Sequence, residues 1–267
     1  MVSQVGLGVT HCQQGNYDAA LALLPDGVVQ AREIGAPYYE ALGLAYLVRL
    51  HSYLGDWPGA AHWSARLTPM LAREGLPPEC YGEGLSALAL NAHLTGAVEP
   101  ALQQGEAAYR HLAPGTIASR KAGICLILGH VRAAAGEPEL AAAAYTQAVV
   151  HCTKIGNRVL TVEAEAGLAA LAQQAGDQRQ ARQRVEAILP LLTAQPRAGW
   201  TTPFFSYLTC YQVLAANQDK RANTVLAQGG RLLQEYAAGI AEPGLRQRFL
   251  EGVPAHRALM GLYGAER

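Results

Sequence analysis

The segment Gly6-Leu7-Gly8-Val9-Thr10-His11 opens like a dinucleotide-binding fingerprint, in which closely spaced glycines let the backbone approach a pyrophosphate. The third glycine is missing and no strand-like run precedes it, so no cofactor is expected there. Eight histidines are dispersed along the chain. None forms an H-x-x-x-H or H-x-x-E pair, whereas a metal site needs three or four convergent ligands. The five cysteines (Cys12, Cys80, Cys125, Cys152 and Cys210) are odd in number, far apart and without a C-x-x-C pair. They read as free thiols of a reducing compartment, so neither a disulfide framework nor a zinc site is expected. Glu163 and Glu165 stand two apart on a helical stretch, which turns them about 200° away from each other and argues against a paired-carboxylate centre. No Gly-x-Ser-x-Gly elbow and no phosphate-cradling Gly-x-x-x-x-Gly-Lys loop occurs. The sequence therefore predicts no catalytic residue, no cofactor and no metal, and a protein that is not an enzyme.

Composition points to helices. Half of the 267 residues are hydrophobic, 7% are aromatic, and alanine is abundant. Alanine loses no side-chain entropy in a helix and lets helix backbones approach closely. No alternating run of β-branched residues bounded by hairpin dipeptides is present, so the expected class is all-α. Lysine plus arginine and aspartate plus glutamate each number 21, a formal net charge of zero. A chain that binds nucleic acid through phosphates would carry a basic excess or stripe. The densest basic stretch, Arg179 to Arg184, lies between Asp177 and Glu186 and reads as a solvated helix face. The N-terminal stretch lacks the basic flank and cleavage site of a signal peptide, and no apolar run is long enough for a membrane span. The expected location is the cytoplasm, with no nucleic-acid contact and no membrane contact.

The elements that would position a site come from an internal repeat. Turn signals of the form Gly-x-x-x-x-Ala begin at Gly15, Gly55, Gly96, Gly136 and Gly176, and Asn217 opens a sixth with Asn in place of Gly. Successive signals are 40 or 41 residues apart. A helix commonly ends on a residue in the left-handed region, which Gly adopts freely and Asn tolerates next best. Acidic residues after the Gly, and Pro58, Pro100 and Pro138, suit the start of a following helix. Each turn thus joins a helix A to a helix B. Eight residues before the turns stand Leu7, Leu47, Leu88, Leu128, Leu168 and Thr209, and the next position holds mostly small residues. Five residues after, every repeat has alanine: Ala20, Ala60, Ala101, Ala141, Ala181 and Ala222. A position that always carries alanine is one where two helices pack tightly.

The helix-B pattern Ala141, Tyr145, Ala148, and in part the helix-A pattern Cys125, Leu128, Gly129, resemble the tetratricopeptide repeat (TPR) family over about residues 1–240. The period is about 40 residues instead of the family's 34, and most helix-A aromatics are absent. Long-period variants of this kind look like the C-terminal repeat regions of bacterial signalling ATPases, nucleotide-cyclase fusions and transcriptional regulators. The segment Arg248 to Arg257 is similar to the endings of those regions, with Gly252 where Asn would be expected.

The resemblance implies a right-handed α-α superhelical solenoid of about six helix pairs over residues 1–240, with a C-terminal capping helix and tail over 241–267. It also implies a concave groove lined by the A helices. Carried across position by position, the groove would present Arg49, Ser52 and Tyr53 in the second repeat and Glu83, Ser86 and His93 in the third. His130 would follow in the fourth, Glu163, Gln173 and Gln174 in the fifth, and Phe204, Tyr207 and Tyr211 in the sixth. The expected partner is a protein, as a peptide or a helix held through aromatic and hydrogen-bond contacts, within a bacterial signalling or transcription-regulation system. Two other readings stand beside this scaffold. One is a small-ligand sensor, for which Phe204, Tyr207 and Tyr211 would supply the site. The other is self-association as a homodimer. Met1 stands directly before the first helix A, which also fits a fragment of a larger multidomain protein.

Overall fold

Gly15, Gly55, Gly96, Gly136 and Gly176 all take positive φ, from 65° to 80°, so each of these turn signals is a left-handed helix ending. A computed structural model describes residues 2–194 and 203–265, and its helices pair about those turns. α1 (Val2–Gln13) and α2 (Tyr17–Glu33) form the first hairpin, α3 (Pro37–Tyr53) and α4 (Trp57–Leu71) the second. The third is α5 (Pro78–Leu94) with α6 (Val98–Arg110), and the fourth α7 (Ala118–Ala134) with α8 (Pro138–Ile155). α9 (Arg158–Gln174) and α10 (Gln178–Ala194) make the fifth, α11 (Pro203–Ala216) and α12 (Arg221–Ala238) the sixth. α13 (Pro243–Glu251) and α14 (Pro254–Ala265) close the described chain, so the region read as one capping helix holds two. The fold is an all-α solenoid. No strand occurs among the described residues, and no described helix is long and apolar enough to cross a membrane.

The sixth turn departs from the expected register. Gln218, not Asn217, takes the left-handed conformation, with φ of 54°. The last interval is therefore 42 residues. The extra residue is absorbed at once: the Ala222 N–H bonds the Asp219 carbonyl three residues back, whereas the Ala20 N–H reaches four back, to Asn16. This tight first turn returns Ala222 to its packing position, where it is buried like its five counterparts. Asn217 instead turns its side-chain amide onto the Val213 carbonyl at 2.8 Å and Gln178 Oε1 at 3.3 Å.

The repeated alanines are buried because neighbouring helices cross over them. Ala20, Ala60, Ala141 and Ala181 have no exposed surface, and Ala101 is 1% exposed. In the fourth repeat, Tyr145 of α8 lies between two A helices, and a Cβ built on Gly129 of α7 or Gly167 of α9 would meet its ring at 2.5 or 2.4 Å. The packing sites read from the repeat are thus glycine or alanine sockets for a partner ring or helix.

One hydrophobic core runs through both ends of the chain, uniting Val5, Leu24 and Leu47 with Phe204, Leu233 and Phe249. This is possible because the end of the chain folds back onto the first two repeats. Tyr17 at the start of α2 packs against Tyr236 (ring centroids 6.1 Å apart) and Phe249 (5.9 Å). Asp18 Oδ2 accepts the Ala241 backbone N–H at 2.9 Å, and Arg248 Nε lies 3.4 Å from Asp56 Oδ1. The turn at Gly55 presses on the backbone of Arg248 and Gly252 so closely that a Cβ at Gly55 would stand 2.5 Å from the Arg248 carbonyl oxygen. Glycine at 252, where the resemblance calls for Asn, is what this approach requires.

Candidate functional site

The A helices and the start of α2 bring residues from all six repeats around two adjoining cavities. The larger, about 390 Å³, is walled by Tyr17, Tyr53, His93, His130, Phe204 and Phe205, and is closed on one side by the Val253–His256 segment. The smaller, about 290 Å³, holds Tyr46, Arg49, Glu83, Ser119, Arg120 and Asn157. Tyr53 belongs to both walls.

The chemistry of the two is opposite. The larger cavity has no acidic side chain, lysine or arginine among its lining residues. Its three histidines are held neutral. Burial lowers the pKa of His93. Burial, with His93 alongside, brings His130 down to about 3. Burial brings His256 down to about 4, against an opposing bond to the Phe249 carbonyl. Geometry sets their tautomers. His256 Nδ1 lies 2.7 Å from the Phe249 carbonyl oxygen and must donate to it. The buried Tyr145 hydroxyl sits 2.9 Å from His130 Nδ1. A phenol proton sealed from water needs an acceptor, so Tyr145 donates and the imidazole proton stays on His130 Nε2. Nε2 itself is buried without a hydrogen-bond partner, and the His130 ring meets the Phe205 ring edge-to-face (centroids 4.9 Å apart).

The smaller cavity is ionic. Arg49 Nη2 reaches Ser86 Oγ at 2.9 Å and stands 2.9 Å from Glu83 Oε2, the latter an ion pair that lacks hydrogen-bond geometry. Glu83 Oε1 lies 3.5 Å from Arg120 Nε, and Arg120 donates to the Tyr38 hydroxyl at 2.7 Å. Burial opposes the Arg49 charge, and Glu83 with neighbouring tyrosines more than offsets it, so its pKa rises. Arg49 Nε remains buried with no hydrogen-bond partner.

These positions correct much of the expected groove. Arg49, Ser52, Glu83, Ser86, His130, Glu163, Phe204 and Tyr207 are buried rather than presented on an open surface. Ser52 bonds the Val48 carbonyl and Asn91, and Tyr207 donates to the Leu192 carbonyl at 3.0 Å. The physical reason is curvature: the chain closes on itself, so the inner positions that an open solenoid would offer to a peptide instead meet each other or the returning C-terminal helices. Tyr53 and His93 line the larger cavity with His130 and Phe204; Arg49 and Glu83 line the smaller one. Gln173 is half-buried, Gln174 exposed, and Tyr211 packs half-buried on the core; none of the three lines either cavity. The aromatic cluster of Phe204, Tyr207 and Tyr211 is thus divided, because its positions were counted from Asn217. Tyr17, Phe205, Arg120 and His256 escaped the repeat-based derivation. They come from the start of α2, from the shifted sixth repeat, from the opening of α7 and from the terminal helix. Among the described residues no group of three or more His, Cys, Asp or Glu could hold a metal.

No protein-family model matches the sequence, and no curated protein is similar to it at a significant level. Among solved structures it is similar to BtubC (BKLC) from P. vanneervenii, with 17% identity and a TM-score of 0.59 over 85% of this chain and 94% of that one. A lesser likeness, TM-score 0.38 and 15% identity, is to the APC/C hetero-tetramer Cut9-Hcn1, over 94% of this chain and 53% of that one. The chain shares the fold of a helical-repeat solenoid. At these identities the likeness concerns the fold, and the two cavities stand on the chain's own residues.

Proposed function

We propose that this chain is a non-catalytic interaction scaffold that takes a protein or peptide partner at the polar cavity, through Arg49, Glu83 and Arg120. One observation carries the reading. A buried ion pair adds little to stability, because desolvation of the charges cancels much of their attraction. Yet this fold places Arg49 and Glu83 deep among its A helices, next to open space, with Arg49 Nε left over. Such a network is explained by a segment that pairs with the part of it open to the cavity, above all Arg120, and excludes water when it docks. Arginine and tyrosine are also the side chains that most often anchor interfaces.

Gly123 of α7 allows a clean test. It lines this cavity, and a Cβ added to it meets nothing within 4 Å. Peptides selected from a displayed random library should bind the native protein and lose at least about tenfold in affinity to Gly123→Leu, measured by fluorescence anisotropy, with no loss of thermal stability. Arg120→Ala should weaken the same peptides. A library that yields no binder, or binders indifferent to both substitutions, would overturn the reading.

A further inference from the structure

The larger cavity has chemistry of its own, independent of the partner reading. Its volume, about 390 Å³, lies in the lower part of the range of small-molecule sites, about 300–1,000 Å³. Its walls are aromatic and aliphatic, and every titratable group on them is uncharged at neutral pH, since the histidines are held neutral by burial and burial raises the Tyr17 and Tyr53 phenols. An ion would lose its hydration there without a counter-charge in return. A partner's extended backbone would fare no better: Val253, Pro254 and Ala255 of the returning chain already close one side.

Among the polar side chains on this wall, Tyr53 is the one shared with the polar cavity. It borders this cavity; burial raises its pKa, and Arg49 nearby partly opposes this. His256 Nδ1 is bonded to Phe249 and His130 Nδ1 to Tyr145, while His93 stacks on His130 with ring centroids 5.9 Å apart.

We propose that this cavity is a binding site for an uncharged, mainly apolar small molecule whose single polar group, a carbonyl-type oxygen, accepts a hydrogen bond from the Tyr53 hydroxyl. The aromatic walls provide the contact area, and the phenol orients the guest. Tyr53 also borders the polar cavity, so a guest bonded to it would hold one wall of the neighbouring pocket.

The test uses butyrophenone, its hydrocarbon counterpart butylbenzene, and 4-phenylbutanoate as the charged analogue, on the full chain by titration calorimetry and thermal shift. Butyrophenone should bind and raise the melting temperature. Butylbenzene should bind about threefold to tenfold more weakly, the worth of one neutral hydrogen bond, and 4-phenylbutanoate more weakly still. Tyr53→Phe should keep the fold and erase the preference for the ketone over the hydrocarbon. Leu208→Trp should fill the cavity and abolish binding; should that variant fail to fold, Ala255→Phe blocks it from the terminal helix. Absence of ketone binding at its solubility limit would overturn the proposal. So would binding that survives the blocking substitutions, a carboxylate that binds better than the ketone, or a ketone preference unchanged in Tyr53→Phe.

Discussion

Two glycines six residues apart on α7 should respond to the same substitution with opposite signs. At Gly123 an added methyl meets nothing within 4 Å. Replacing Gly by Ala inside a helix gains about 0.5–1 kcal/mol from reduced backbone entropy of the unfolded chain and better helix propensity, so Gly123→Ala should stabilise by about that amount. At Gly129 the methyl would stand 2.5 Å from Tyr145 Cδ1, whereas carbon atoms rest at about 3.5–4.0 Å. The ring must recede by roughly 1 Å to restore that spacing. It has no room, because Gly167 backs it from α9 with a built Cβ only 2.4 Å from Tyr145 Cζ, and its hydroxyl is tied to His130. Overpacking of a filled core costs about 1–3 kcal/mol; offset by the helix-propensity gain, Gly129→Ala should destabilise by about 0.5–2 kcal/mol. Urea unfolding followed by circular dichroism gives both numbers by linear extrapolation, provided the slope stays constant across variants. A Gly129→Ala protein as stable as Gly123→Ala would refute the socket reading of Tyr145.

Other outcomes follow from features described above. Burial pushes the thiols of Cys12, Cys125 and Cys210 up to about 12 and those of Cys80 and Cys152 to about 11; native protein at pH 8 should therefore show almost no fast reaction with Ellman's reagent, and all five thiols should react in denaturant. His130 and His256 have folded pKa values below the unfolded value of 6.5, so the unfolded chain binds more protons between the two. Their stabilising contribution is complete above pH 6.5 and should fall as pH drops towards 4, by up to roughly 1.4 kcal/mol per pH unit for each histidine; His256→Asn should flatten that slope in a pH series of urea melts. Phe249, fully buried between Tyr17, Phe204 and His256, should cost about 3–5 kcal/mol when replaced by Ala. Enlarging Ala141 to Leu should cost about 1–3 kcal/mol by overpacking, and unchanged melting would contradict its place beneath the neighbouring helix.

The repeat was readable because its signal is local. A glycine that ends one helix and an alanine packed under the next are demanded by backbone geometry within a few residues of each other, so five turns and all six alanines declare themselves. The sixth turn misled because Asn and Gln stand side by side at 217 and 218: Asn tolerates the left-handed region better, but here the Asn side chain bonds Val213 and Gln178 while Gln218 takes the strained position. The site was only half legible for a different reason. Tyr53, His93 and His130 follow from counting along A helices, whereas the closing wall from Val253 to His256 is set by contacts between residues more than two hundred positions apart. Asp18 and Ala241 carry no periodic mark of their meeting. Nor did the repeat pattern show that Arg49 would be buried, since burial depends on how far the whole chain curves.

That curvature has a consequence for lineage. An open array of repeats can gain or lose a unit by duplication or deletion, because each unit needs only its neighbours. Here Tyr17 needs Tyr236 and Phe249, and Gly55 needs the backbone at Gly252. Adding one more helix pair in the middle would carry those surfaces past each other and open the shared core. The number of units between them is therefore locked, and descent from this chain should proceed by substitution within repeats rather than by changes in their count.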